Sequence, residues 1–170
     1  MVTSNIVKGN TVGSRSSTDL AYIAGFLDGD GSLMLQLKKR KDTKLGWRFM
    51  CTICFYQDSR HKAPLYWMQQ VLGIGYISHR NDGMTELRIS GYNQVSTILT
   101  DLLPYLRFKQ QQAQIILLAI KVLSSTKASK LSQQHLVILT DHMLAVQGHN
   151  YVTKKKKTRQ EVLSMLGLTP

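Results

Sequence analysis

Apolar positions change their spacing along the chain, and each change marks an element. Between residues 19 and 28, Leu20, Ile23, Ala24 and Leu27 recur three and four apart, which predicts an amphipathic helix capped by Thr18 or Ser17. Its opposite side carries Ala21 and Gly25, four apart and small enough for two helix backbones to approach closely. Asp28-Gly29-Asp30-Gly31 ends it, with glycine supplying backbone angles that other residues resist. From 32 to 39 the period falls to two, with Leu33, Leu35 and Leu37 alternating with Met34, Gln36 and Lys38. After a break at 40–46 a second strand is expected over 47–56. Phe49, Cys51, Ile53 and Phe55 form one side of it, and Arg48, Met50, Thr52, Cys54 and Tyr56 the other.

The alternation of periods then repeats. A helix over 62–72 stops at Gly73, and strands over 75–80 and 85–90 flank the turn signal Asn81-Asp82-Gly83. Helices follow over 93–103, ended by Pro104, and over 109–123, 132–145 and 158–166. The order αββαββα predicts the α+β class: one four-stranded antiparallel sheet, helices on one face, and extra helices at the C-terminal end. Residues 1–17, rich in Ser, Thr, Gly and Asn, read as a flexible leader. Residues 18–170 read as one domain, with a core at 18–123 and a helical extension at 124–170.

Charge adds a partner to this picture. The 170 residues carry 22 Lys and Arg against 10 Asp and Glu, a formal net charge of +12. Such an excess points to a polyanion, either nucleic acid or an anionic membrane surface. No apolar run approaches the roughly 20 residues of a membrane span, and no secretory signal follows the start. Cys51 and Cys54 form a CxxC on a strand, where residues three apart face opposite ways. They are therefore expected to be free thiols in a reducing compartment.

The outward sheet side suits DNA. A two-stranded ribbon fits the major groove, where Arg pairs with guanine and Gln with adenine. Met34, Gln36, Lys38, Arg40, Arg48, Met50, Thr52, Ser78, Arg80 and Arg88 are the candidate contacts. Glu86 either accepts from cytosine or orients Arg80 or Arg88. A plain solvated face is the alternative, and the basic bias argues against it. Lys154, Lys155, Lys156 and Lys157, with Thr158, make a phosphate-binding run; a solvated tail or a localisation signal fits that composition equally well. Asp28 and Asp30 read from spacing alone as an ordinary helix-ending turn. The calcium-loop positions that would follow are missing. His135, His142 and His149, seven apart, read as one exposed helix stripe, and no HxxxH pair suggests zinc.

The segment Tyr22-Ile23-Ala24-Gly25-Phe26-Leu27-Asp28-Gly29-Asp30-Gly31-Ser32 resembles the signature of the LAGLIDADG homing endonucleases. Gly73-Ile74-Gly75-Tyr76 and Leu103-Pro104-Tyr105-Leu106-Arg107-Phe108-Lys109-Gln110 extend the resemblance over about 21–114. With one motif per chain, it is to the single-motif, homodimeric members. The resemblance implies a saddle-shaped sheet and a dimer joined at the motif helices through Ala21, Ala24, Gly25 and Asp28. It implies cleavage of a long pseudo-palindromic double-stranded DNA site, leaving short 3′ overhangs and promoting intron homing. Asp30 and the Gly29 carbonyl would bind Mg²⁺, with Mn²⁺ able to substitute and Ca²⁺ binding without cleavage. Gln57 and Lys109 would stand near the attacking water, and His61 occupies a position where the family commonly has a basic residue. An organellar or other intracellular setting would follow. The competing reading within the same fold is an intron maturase that binds RNA without cutting DNA; a transcription regulator, which would need neither Asp30 nor metal, is a third.

Overall fold

The first apolar stripe forms helix α1, Ser17–Asp30, in a computed structural model that describes residues 15–150 and 156–168. Its cap is Ser16, whose hydroxyl accepts from the Asp19 N–H, one residue before the two candidates. Its C-terminal end lies two residues beyond the expected limit, so Asp28 and Asp30 are both helical. Leu20, Ile23, Ala24 and Leu27 are buried, as their spacing requires. The helix passes directly into strand β1, Gly31–Lys39. A side chain at Gly31 would put its Cβ 2.5 Å from Leu27 Cδ1 and 2.8 Å from Leu27 Cα, so this loopless junction needs glycine for close approach.

Strand β2, Trp47–Asp58, pairs antiparallel with β1, Gly31 opposite Phe55 and Lys39 opposite Trp47. Helix α2, Ala63–Leu72, ends at Gly73, whose φ of 66° is left-handed. Strands β3, Tyr76–His79, and β4, Met84–Ser90, form the second hairpin. The sheet order is β1-β2-β4-β3, so the two hairpins join along β2 and β4. Helices α3 (Tyr92–Leu102), α4 (Gln110–Ser125), α5 (Gln133–Gly148) and α6 (Arg159–Met165) complete the chain. Among the described residues no helix is long and apolar enough to cross a membrane.

One side of the sheet, including Leu33, Leu35, Phe49, Ile53, Phe55, Leu87 and Ile89, is buried in a continuous cluster with Ile23, Leu27, Leu65, Met68 and Ile98. Ile116, Leu139, Met143 and Val162 belong to the same cluster, so the C-terminal helices share this core. The register tiles the other side into rows: Ser32–Cys54–Arg88–Tyr76, Met34–Thr52–Ser90, Tyr56–Glu86–Ser78, Gln36–Met50 and Lys38–Arg48. Alternation places Thr52 and Glu86 outward, yet both are buried, at 4% and 6% exposed. Both stand on the sheet's inner strands, flanked by neighbours on each side, so the free chain does not present them as exposed contacts for DNA. Cys51 and Cys54 are free and buried, and burial pushes the Cys51 thiol up to about 12.

The histidine stripe does not survive folding. His135 closes a capping box with Ser132, its N–H bonding the Ser132 hydroxyl while its ring accepts from the Ser132 N–H. His142 is half-buried with its Nδ1 unpartnered, and only His149 stands exposed.

Candidate active site

Two carboxylates end α1, where the helix dipole is negative and acids are disfavoured. The chain compensates one of them. Asp28 Oδ2 accepts from the Arg107 N–H at 2.7 Å and the Phe108 N–H at 3.2 Å, and Oδ1 from the Lys109 N–H at 2.9 Å. The Lys109 ammonium returns to the Asp28 main-chain oxygen at 2.5 Å. The loop entering α4 is thereby fastened to the end of α1. Burial pushes the Lys109 ammonium below the usual lysine range, against the opposing pull of Asp28 and Asp30.

Asp30 is different. Its side chain is exposed and forms no hydrogen bond or ion pair among the described residues. Gly29 beside it is exposed, and a Cβ there would meet nothing. Asp30, Gly29, Lys109 and Gln57 line one open cleft of about 900 Å³. The Gln57 Oε1 accepts from the Asp58 N–H at 2.9 Å, leaving the amide nitrogen unspent. His61 does not line the cleft. It sits exposed in the 3₁₀ turn Ser59–His61, which carries the chain away after β2. In that turn the Arg60 guanidinium holds the Asp58 carboxyl well below the usual carboxylate range.

The cleft has a wall that sequence reasoning missed. Gln112 of α4 and Gln147, His149 and Asn150 from the end of α5 also line it. Gln112 Nε2 donates to Asn150 Oδ1 at 3.0 Å, tying the two segments. No local pattern could have found this wall, because packing 38 residues apart in sequence creates it. Phe108, 86% exposed beside Lys109, was also missed; it interrupts no periodicity.

Among the described residues no three His, Cys, Asp or Glu side chains cluster as a metal site. Within the cleft one chain offers a single uncommitted carboxylate, Asp30, and a neighbouring carbonyl. That all-oxygen donor set suits Mg²⁺, which takes one or two carboxylates and keeps waters and phosphate oxygens.

On the small face of α1, Ala21 and Gly25 are exposed, and nothing lies within 4 Å of a Cβ built on Gly25. Ala24 is 0% exposed, so its place is in the chain's own core rather than at an interface. The Asp28 carboxylate bonds to its own chain while its residue stays half-exposed.

On the sheet side, Met34, Gln36, Met50 and Ser78 are partly exposed, while Lys38, Arg40, Arg48 and Arg80 are exposed. Arg40 pairs with Asp42 and Arg80 with Asp82, both carboxylates being on exposed turns. Arg48 lies 5.8 Å from the centre of the Tyr92 ring. Lys154 and Lys155 fall outside the described residues. Lys156 and Lys157 are exposed, with the Lys157 ammonium 5.8 Å from the Trp47 ring centre. The Thr158 hydroxyl caps α6 by accepting from the Glu161 N–H, a structural duty the sequence reading did not assign.

A family model described as LAGLIDADG endonuclease matches residues 23–123. The chain belongs to the LAGLIDADG endonuclease family. The DNA endonuclease I-CvuI of Chlorella vulgaris is 37% identical to this LAGLIDADG chain over 107 residues, which are 63% of this chain and 66% of that protein. The DNA endonuclease I-CreI of Chlamydomonas reinhardtii is 29% identical over 144 residues, 85% of each. The crystal structure of I-CvuI in complex with its target in the presence of calcium superposes with a TM-score of 0.80 at 30% identity. It covers 91% of this chain and 98% of that one. The archaeal I-Vdi141I complexed with DNA shares the fold at 19% identity, with a TM-score of 0.76.

Proposed function

We propose that this chain is a homing endonuclease which, as a homodimer, makes a double-strand break in a long pseudo-palindromic DNA site by divalent-metal-dependent phosphodiester hydrolysis. One observation carries the reading. Asp30 stands at the negative end of a helix with no hydrogen bond or ion pair among the described residues, in a cleft shared with Lys109 and Gln57, below a basic sheet. A carboxylate left in that position destabilises the free chain and is explained by a cation it serves.

Asp30 and the Gly29 carbonyl are the ligands each subunit would give. Mg²⁺ held by these two oxygens would supply charge neutralisation at the phosphate, water activation and stabilisation of the leaving oxygen. Asp28 positions rather than binds: its three backbone contacts hold the loop that presents Lys109. Lys109, fixed and partly stripped of water, offers positive charge to the phosphate as negative charge develops. Gln57 has its amide N–H₂ free to orient a water. Ala21 and Gly25 leave room for the partner's α1, which brings a second Asp30 to the same axis and doubles the formal net charge of +12.

The expected setting is an intron-bearing organelle, and the cognate site is the joined exons that flank such an intron. The test incubates purified protein and its Asp30→Asn variant with duplex DNA pools in Mg²⁺, and with precursor intron RNA in parallel. Site-specific DNA cuts by wild type, with binding but no cutting by the variant, are expected. A variant that still cuts overturns the role of Asp30. Splicing stimulation without any DNA cleavage replaces the nuclease with a maturase.

A further inference from the structure

Glu86 is an acid set into a face that otherwise presents Gln36, Lys38, Arg48 and Arg88 to a polyanion. Burying a carboxylate there carries a desolvation penalty, and its charge repels phosphate, so the position needs a reason. The geometry supplies one. Arg88 Nε and Nη2 both donate to Glu86 Oε1, at 3.0 and 2.9 Å. The Glu86 side chain is only 7% exposed and that of Arg88 31%. Cross-strand neighbours flank Arg88: Cys54, fully buried, on β2 and Tyr76 on β3.

The bonds to Glu86 use the Nε side of the guanidinium. They leave both hydrogens of Nη1 and one of Nη2, the end-on fork, without a partner among the described residues. That fork matches the O6 and N7 acceptors of guanine in the major groove. The other paired arginines of this face differ. The Asp42 and Asp82 side chains that hold Arg40 and Arg80 are 63% and 51% exposed, and such surface pairs open readily.

We infer that Glu86 is a positioning residue that holds Arg88 to read one guanine in each half of the DNA target. The inference rests on the endonuclease reading above. In a two-fold dimer the guanines occupy symmetry-related positions, one on each strand. Arg40 and Arg80, on releasable partners, adapt to phosphates or to several bases.

The experiment selects cleaved sites from a randomised duplex pool in Mg²⁺ and sequences them for wild type, Glu86→Gln, Arg88→Lys and Arg88→Ala. Wild type is expected to require G·C at one symmetry-related pair of positions. Both Arg88 variants lose that preference by roughly 5- to 150-fold, the worth of a bidentate base contact, and keep the rest of the profile. Glu86→Gln, which keeps the shape but not the charge, relaxes the same pair and no other. Thermal melting checks each variant's fold; should Glu86→Gln fail to fold, the Arg88→Lys profile decides. An unchanged Glu86→Gln profile overturns the inference. So does an Arg88→Ala loss spread evenly over all positions, the mark of a phosphate contact. Wild type that cuts no member of the pool refutes the endonuclease reading itself, a different failure.

Discussion

Replacing Asp28 and Asp30 one at a time should shift stability in opposite directions, although the two acids lie two residues apart on the same helix end. Asp28→Ala removes an acceptor from three backbone N–H groups, of Arg107, Phe108 and Lys109. Hydrogen bonds to a charged group contribute about 1.5–3 kcal/mol each. Two of these donors are exposed and water replaces much of what is lost, so the total is on the order of 2–4 kcal/mol. For a chain of this size each kcal/mol moves Tm by about 2–4 °C, which predicts a fall of roughly 5–15 °C. Asp30→Asn removes a charge that the negative end of α1 disfavours by about 0.3–1 kcal/mol, and part of that gain is offset by losing the carboxylate's pull on the Lys109 ammonium. Its Tm should stay level or rise by a few degrees.

The assay is thermal unfolding followed by circular dichroism, at fixed protein concentration and with chelator present. Bound metal would stabilise the wild type selectively and hide the Asp30 effect. Cleavage is read in parallel: Asp30→Asn is inactive while folded, and Asp28→Ala is slowed because the loop no longer holds Lys109 in place. An Asp30→Asn variant as destabilised as Asp28→Ala would show that Asp30 is structural and would remove the argument for a waiting ligand. An Asp28→Ala variant with an unchanged Tm would refute the role given to the loop contacts.

Three other perturbations have defined outcomes. Gly31→Ala drives a Cβ into Leu27 and should destabilise by about 1–3 kcal/mol in urea titration; a neutral result would mean that the helix–strand junction yields freely. Gly25→Leu meets nothing within the chain, so the monomer should fold normally; sedimentation should show a monomer without cleavage activity, and an intact, active dimer would exclude this helix face as the interface. Burial pushes the His142 imidazole below the usual histidine range, with Asp141 opposing. The fold therefore favours neutral His142, and its contribution is full above the unfolded histidine value and lost as pH falls through the lowered folded one. Melting from pH 7 to 5 should narrow the advantage of wild type over His142→Gln, and a widening gap would reverse the sign of the argument.

What the sequence made legible was whatever depends on period. The switch between three-to-four and two placed the α-helices and strands of the described residues, because one buried face per element is enough to impose that spacing. Depth was not legible in the same way. Alternation sets Thr52 and Glu86 on the outward side, but whether an outward residue reaches solvent depends on the neighbours across the strands. Those are fixed by the pairing of β2 with β4, from distant segments. Ala24 shows the same limit from the other direction: its spacing put it on the core face, and only membership of a motif suggested an interface.

Asp28 and Asp30 make the point most sharply. They are the same residue type in the same motif at the same helix end, and the chain alone offers no means to divide their roles. The division comes from a loop about 80 residues further on, whose three N–H groups reach Asp28 and none of which reaches Asp30. On the proposed function the working carboxylate is defined by what fails to contact it. The fold satisfies one acid so that the neighbouring loop is anchored, and leaves the other at an electrostatically unfavourable position. On the proposed function a divalent cation would relieve that cost and a second copy of the chain would supply the second carboxylate, so that dimer assembly and completion of the cleavage site would be coupled.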